Sequence, residues 1–262
     1  MLDPLNDSYY LASAGDYRPD GPLIADIKAD ICIIGGGFTG LSAAVACAEA
    51  GLDVVLLEAE HIGFAASGRN GGQMIPGFNM AATDLIKLVG EDVGQQLYHL
   101  AMSARDRVHA RIERHGIDCD LQHGHIHLAA KKSDFAYLED EVAFSDRLLG
   151  RGEAVLVAPT DIDQYVNVAG YHGGIYVPKG GHLHPLKYAR GLKRAAKSAG
   201  ARIFEGSRAV SIREGEKVLI RTISGSVTAS NVFLACDTET GDLVTKAGRY
   251  TMPVLNYITA TE

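Results

Sequence analysis

The residues best suited to chemistry sit early in the chain. Gly35, Gly37 and Gly40 are spaced G-x-G-x-x-G, with Phe38 and Thr39 before the last. The apolar run Ala29–Ile34 before them predicts a buried strand. The alanine-rich run Phe38–Ala50 after them predicts a helix stopped by Gly51. In that setting the first glycine permits a tight turn and the second lets a pyrophosphate touch backbone. The third allows close helix–strand packing. The helix start adds free N–H groups and a positive dipole end. Glu58 lies 21 residues past Gly37, ending a second predicted strand at Asp53–Leu57. An acid there accepts both hydroxyls of an adenosine ribose and repels a 2′-phosphate. A plain glycine turn and a solvated carboxylate are the rival readings. The order strand, turn, helix, strand, acid favours dinucleotide binding.

A glycine-rich loop, Ile62 to Phe78, follows at once and carries Ser67, Gly68, Arg69, Asn70, Gly71, Gly72 and Gln73. Small residues let backbone amides converge on an anion or a flat ring edge. Arg69 could balance pyrophosphate charge and Asn70 could hydrogen-bond a ring carbonyl. A flexible surface loop is the alternative. Further on, His182 and His184 flank Leu183, with Tyr171 and Tyr176 just upstream. They are candidates for a substrate pocket, with His184, His182 and Tyr176 as catalytic candidates. The alternative is that His184 structures the turn before Pro185 and the tyrosines pack locally. His123, His125 and His127 alternate, so on a strand they would share one face. No further cysteine or acidic cluster accompanies them, and no metal site is expected.

These residues need elements to position them. Residues 1–28, with three prolines, predict an extended arm. Glu91–His115 predicts a long amphipathic helix with Leu97, Leu100, Ala101, Ala104, Val108 and Ile112 on its apolar stripe. His123–Ala129 predicts a strand, Asp134–Leu149 a helix and Tyr171–Val177 a strand. Leu186–Ala199 predicts a helix ended by Gly200, with short strands at 202–204, 209–212, 218–222 and 231–234. Thr251–Thr261 predicts a strand. The fold class is therefore α/β: a doubly wound, Rossmann-like domain from residues 1–84 and 185–248, with an α+β domain inserted at 85–184. Residues 249–262 would begin a return to the inserted domain.

Composition sets outer limits. The 262 residues carry 25 Lys and Arg against 32 Asp and Glu, a formal charge of −7, which gives no electrostatic footprint for nucleic acid. At 47% hydrophobic and 22% charged the chain is globular and not disordered. Its longest apolar stretch, around Ile31–Val45, is too short and too glycine-rich for a membrane span. The N-terminus shows no secretory pattern, and Cys32, Cys47, Cys119 and Cys236 form no C-x-x-C pair. Both point to a reducing cytoplasm.

The chain resembles the D-amino-acid-oxidase-type superfamily of FAD-dependent amine oxidoreductases. The resemblance rests on SYYLASA, ADICIIGGGFTGLSAA, VVLLEAEHIGFAASGRNGGQ, IDCD, GGHLHPLKYA and PVLNYITATE, and runs from Tyr9 onward. It implies that the doubly wound domain holds FAD and the inserted domain meets the substrate. Gly35, Gly37, Phe38, Thr39, Gly40, Glu58 and Ala59 would hold the ADP half. Ser67 through Gln73 would line the pyrophosphate and isoalloxazine. The backbone of Val210 would meet the adenine, and Ala235 and Cys236 would lie near the flavin linker. The implied reaction oxidises the CH–NH2 group of a small amine to an aldehyde, releasing ammonia, with O2 reduced to H2O2. A gamma-glutamylated diamine of polyamine catabolism is the implied substrate, with glycine, sarcosine or another amino acid as the alternative. Two departures stand out. Ala235-Cys236-Asp237 replaces the usual Ala-Gly or Ala-Thr-Gly turn, and superfamily members continue past the position of Thr261-Glu262, so the resemblance implies that the remainder of the substrate domain would lie beyond these residues. A nucleotide-binding fragment without catalysis is the reading this second departure leaves open.

Overall fold

A computed structural model describes residues 8–254 and 256–259. Residues 1–7 of the expected arm, and Leu255, Ala260 and Thr261 of the expected final strand, lie outside them. The chain forms two compact units. The first comprises residues 1–71, 117–119 and 184–262, and the second residues 72–116 and 120–183. The first crossing thus falls at Gly71–Gly72, inside the glycine-rich loop, where the sequence pattern suggested residue 84.

The first unit begins with a short helix, α1 (Tyr9–Ser13), capped by the Ser8 side chain, which accepts from Leu11 N. The expected extended arm is therefore helical here, because a serine cap stands ahead of the tyrosines and the prolines lie outside the turn. Strand β1 (Asp26–Ile34), helix α2 (Phe38–Glu49) and strand β2 (Val54–Leu57) follow. The second unit holds β3 (Gln73–Met74), α3 (Ala82–Val89), α4 (Glu91–Arg114), β4 (Gln122–Leu128), α5 (Lys132–Leu149), β5 (Val155–Val157) and β6 (Gly174–His182). The chain then returns as α6 (Pro185–Ser198), β7 (Arg202–Phe204), β8 (Ser211–Arg213), β9 (Val218–Arg221) and β10 (Ser226–Leu234).

The first unit's sheet runs β7-β2-β1-β10-β9-β8. Its first four strands are parallel, and β10–β9 and β9–β8 are antiparallel. β2 is buried at every residue, as a strand covered on both faces must be. One face of β1 and β2 enters a core with Cys32, Ile34, Val55 and Leu57 beside Ile220 and Val227. The alternate residues Ile33 and Leu56 are buried too. Helices α2 and α6 pack together, and α6 buries Leu186, Ala189, Leu192 and Ala196. The expected strand at 251–261 does not form among the described residues: 251–254 and 256–259 are irregular, and Tyr250, Met252 and Tyr257 are exposed.

In the second unit β6 pairs antiparallel with β3, β4 and β5. It runs through Gly180 and Gly181 to His182, beyond the Val177 limit suggested by the apolar pattern. The core gathers Ala129, Leu138 and Ile175 with Phe135, Val142 and Leu156. The buried face of α4 is Gly94, Ala101, Met102 and Arg105, and Leu100 is exposed at 61%. The expected stripe is displaced because Arg105 turns inward to an ion pair with Glu153 at 3.0 Å. On β4 the alternation breaks at a register shift between His123 and His125, around Gly124 with φ +96°. His123 stacks on His109 instead, at 5.1 Å between centroids. Among the described residues no group of three or more His, Cys, Asp or Glu could hold a metal ion.

Candidate cofactor-binding site

The site is built where β1, β2 and β10 end. Gly35, at φ +112°, donates its N–H to Leu57 O at 2.8 Å. A Cβ there would lie 2.3 Å from Ala235 O, so the turn admits only glycine. A Cβ on Gly40 would lie 1.9 Å from Gly35 O, which explains how α2 starts so close to the strand. Gly37 is the N-cap and offers no side chain. Phe38 N is satisfied by Ser67 Oγ at 2.9 Å, and Leu41 N by Gly37 O. Helix geometry gives the amides of Thr39 and Gly40 no acceptor within α2. The Phe38 ring packs on Tyr188 at 5.4 Å.

Glu58 stands just past β2. Its carboxylate accepts from Gly36 N at 2.6 Å and from Glu60 N at 2.9 Å, which fixes its orientation. Burial raises its pKa above the usual carboxylate range, against the pull of those two amides and of His61. Glu58 and Ala59 line a cavity of about 210 Å³ with Gly35–Gly37, Gly63–Ser67, Ala235 and Cys236. That is below the roughly 300–1,000 Å³ that encloses a whole drug-sized ligand, so a dinucleotide would extend beyond it.

The glycine-rich loop holds itself together. Arg69 Nε donates to Phe64 O at 2.5 Å and its guanidinium lies over the Phe64 ring at 4.9 Å. Asn70 Nδ2 donates to Ala66 O and Ser67 O. A Cβ on Gly68 would strike Gly63 O. Of residues 67–73, the cavity takes Ser67. Gly71 ends the first unit's opening segment, and Gly72 and Gln73 belong to the second unit, where Gln73 pairs with His182.

Other sequence candidates find different places. His184 is the N-cap of α6: Nδ1 accepts from Lys187 N at 3.2 Å and Nε2 meets Ser13 Oγ at 3.1 Å. It is buried, its ring packs on Tyr10, and its backbone N–H reaches Cys119 O. Both ring nitrogens of His184 are thus engaged, and the residue caps α6. His182 is exposed on β6, and Tyr176 packs on Tyr165 at 4.7 Å; both belong to the second unit, and His184 belongs to the first. Val210 does not line the cavity. Its N–H bonds to Arg221 O, and its neighbours Arg208 and Ala209 line the cavity instead. Cys236 turns its Sγ back onto Ile34 O at 3.2 Å, away from the approach that glycine would leave open. The left-handed residue of that turn is Asp237, at φ +50°.

Sequence reasoning missed the site's remaining charges. Glu60, Arg208, Asp237 and Glu239 also line the cavity. It also missed Glu205, 1% exposed, whose carboxylate accepts from Tyr17 Oη (2.6 Å), Asp20 N (2.7 Å), Ile62 N (2.7 Å) and Lys193 Nζ (2.5 Å). Burial alone would raise its pKa, but these donors outweigh it and hold it below the usual range. A second acid after Glu58 was visible in the stretch EAEH; the buried network left no local signal.

Parallel central strands with a glycine turn, a helix whose N-cap is a glycine, and an acid at the next strand end define a dinucleotide-binding protein of the doubly wound class. The chain belongs to the FAD dependent oxidoreductase family, whose model matches residues 30–262. It is 36% identical to the gamma-glutamylputrescine oxidoreductase of Escherichia coli over 97% of this chain and 60% of that protein. It is equally 36% identical to a probable oxidoreductase, OrdL, of Haemophilus influenzae, with the same coverage of each. The chain thus spans about 60% of the length of these relatives. In fold it is similar to glycine oxidase from Geobacillus kaustophilus, with a TM-score of 0.69 at 23% identity over 84% of this chain and 58% of that one. It is likewise similar to L-amino acid deaminase from Proteus myxofaciens, with a TM-score of 0.73 at 20% identity over 89% and 50%. Among the described residues no helix is long and apolar enough to cross a membrane. The glycine cradle that a Cβ would fill, with the Glu58 carboxylate fixed beside it, fits the ADP half of FAD.

Proposed function

We propose that this chain is the FAD-holding part of an oxidoreductase acting on the CH–NH2 group of gamma-glutamylputrescine or a closely similar gamma-glutamylated diamine. The amine, O2 and water would give an aldehyde, ammonia and H2O2. The observation that carries the reading is the cradle itself, with Gly35, Gly37 and Gly40 at their contact limits and Glu58 fixed beside them. The 36% identity to gamma-glutamylputrescine oxidoreductase supports the substrate class.

The amides of Thr39 and Gly40 would bind the pyrophosphate, and Ser67 would orient it. Glu58 would accept the ribose hydroxyls and disfavour a 2′-phosphate. When bound, the flavin supplies the acceptor for the hydride equivalent leaving the amine-bearing carbon. An alkylamine has a pKa near 10.4 in water, so the site must favour its neutral form, which a pocket that excludes water does without a strong base. His182 and Tyr176 remain the candidates for contact with substrate, and His184 serves as a cap. A reducing cytoplasm belongs to the same proposal and rests on four cysteines that are free thiols.

The test is reconstitution with FAD, followed by H2O2 release with gamma-glutamylputrescine, putrescine, glycine and sarcosine. Flavin absorption bands with turnover on the glutamylated diamine are expected from the full-length protein. Absence of flavin binding refutes the cofactor reading. Preference for a small amino acid refutes the substrate class, and FAD binding without turnover by the 262-residue chain identifies it as a binding part alone.

A further inference from the structure

Arg208 lines the cavity. Its two terminal nitrogens reach Glu239 and Glu60, each at 3.3 Å. Glu60 follows β2 and Glu239 follows β10, and in the sheet order β1 lies between those strands. The guanidinium therefore bridges the carboxyl end of β1, the place where open parallel sheets take their ligands. Arg208 is 49% exposed, and its partners 47% and 64%. Ion pairs this exposed are weak, so a ligand can replace or rearrange them at little cost. Among the described residues lining the cavity, Arg208 is the one cation against Glu58, Glu60, Asp237 and Glu239.

We propose that Arg208 is a clasp for the adenosine end of the cofactor, its planar guanidinium lying over the purine and making the site selective for FAD over FMN. The inference rests on the FAD reading above. The phosphates belong at the start of α2 and the ribose at Glu58, so the base continues past Glu58 toward Glu60 and Arg208. A guanidinium stacks on aromatic faces as a flat cation, and Glu60 and Glu239 hold it at the right height. The same two carboxylates discourage a phosphate from taking Arg208 for itself.

The test titrates the flavin-free chain with FAD and with FMN by flavin fluorescence, and with ADP by displacement of FAD. R208A is expected to weaken FAD and ADP by roughly 5- to 30-fold and leave FMN unchanged. R208Q, which keeps much of the side chain but not the cation, is expected to show the same selective loss. Arg208 is half-exposed, so both variants should keep the wild-type thermal midpoint within a few degrees. Equal loss for FAD and FMN, or no loss for FAD in either variant, overturns the clasp. Failure of the unmutated chain to bind FAD instead overturns the cofactor reading on which the clasp rests.

Discussion

Glu205 and Lys193 offer a quantitative check on the interior of the first unit. The carboxylate is 1% exposed and the lysine side chain 7%, with Nζ 2.5 Å from Oε2. Replacing Lys193 by Met leaves Glu205 three donors, from Tyr17, Asp20 and Ile62. The cost should fall near the lower end of the roughly 3–5 kcal/mol seen when a buried pair loses one partner. Glu205→Gln should cost more, because its amide nitrogen turns a donor toward groups that are already donors. Lys193 would keep one charged partner of the two, Asp20 at 3.0 Å, beside the Tyr17 hydroxyl at 2.8 Å. The double variant removes both charges, so the coupling should be about 2–3 kcal/mol. Against a total stability of roughly 5–15 kcal/mol these are large effects. With no tryptophan in the chain, urea unfolding would be followed by circular dichroism. The acid limb gives an independent reading. The Glu205 carboxyl sits below its usual range, so its contribution is fully present above the unfolded value near pH 4.3 and is lost as pH falls through the native one. E205Q should lack that loss. Additive single variants, with coupling below about 0.5 kcal/mol, would refute the reasoning.

Three further outcomes follow from the site. Gly40→Ala pushes a Cβ against Gly35 O and should abolish flavin retention on gel filtration while costing about 1–3 kcal/mol or more in stability; retention at the wild-type level would show that the turn can relax. The raised pKa of Glu58 means that its ionised form is lost on acidification earlier than for an ordinary carboxylate, so FAD affinity should fall as pH drops, beginning above the usual Glu range near 4.3. Glu58→Gln should bind FAD about tenfold or more weakly and without that dependence, in titrations across pH. Asp237→Gly relieves a left-handed backbone at φ +50° and should stabilise by about 0.5–1 kcal/mol, read as a rise in thermal midpoint.

The βαβ unit was legible because its signals are local. An apolar run, a glycine turn, an alanine-rich stretch and a terminal glycine follow one another within about 30 residues. Helix α3 escaped because it has eight residues and its N-cap, Ala81, makes no side-chain bond. Strand β6 runs on through Gly180 and Gly181, beyond the apolar pattern, since pairing with β3 and β4 supplies what propensity does not. The glycines and Glu58 were found from spacing alone. Arg208, Glu60 and Glu239 come from three separate strand ends, so only the sheet order brings them together. Lys193 and Glu205 look like ordinary surface charges in one dimension, and their burial depends on residues 17–20 arriving from far away in the chain.

The central pair of the first sheet joins Asp26 to Ser226, 200 positions apart. At a synthesis rate of 5–20 residues per second, about 10–40 s pass between the emergence of β1 and that of its neighbour. During that interval β1 offers an unsatisfied edge of amides and carbonyls, and β2 alone can shelter one side of it. A chain that stopped before residue 226 would therefore leave one edge of β1 unpaired and its nucleotide cradle half framed.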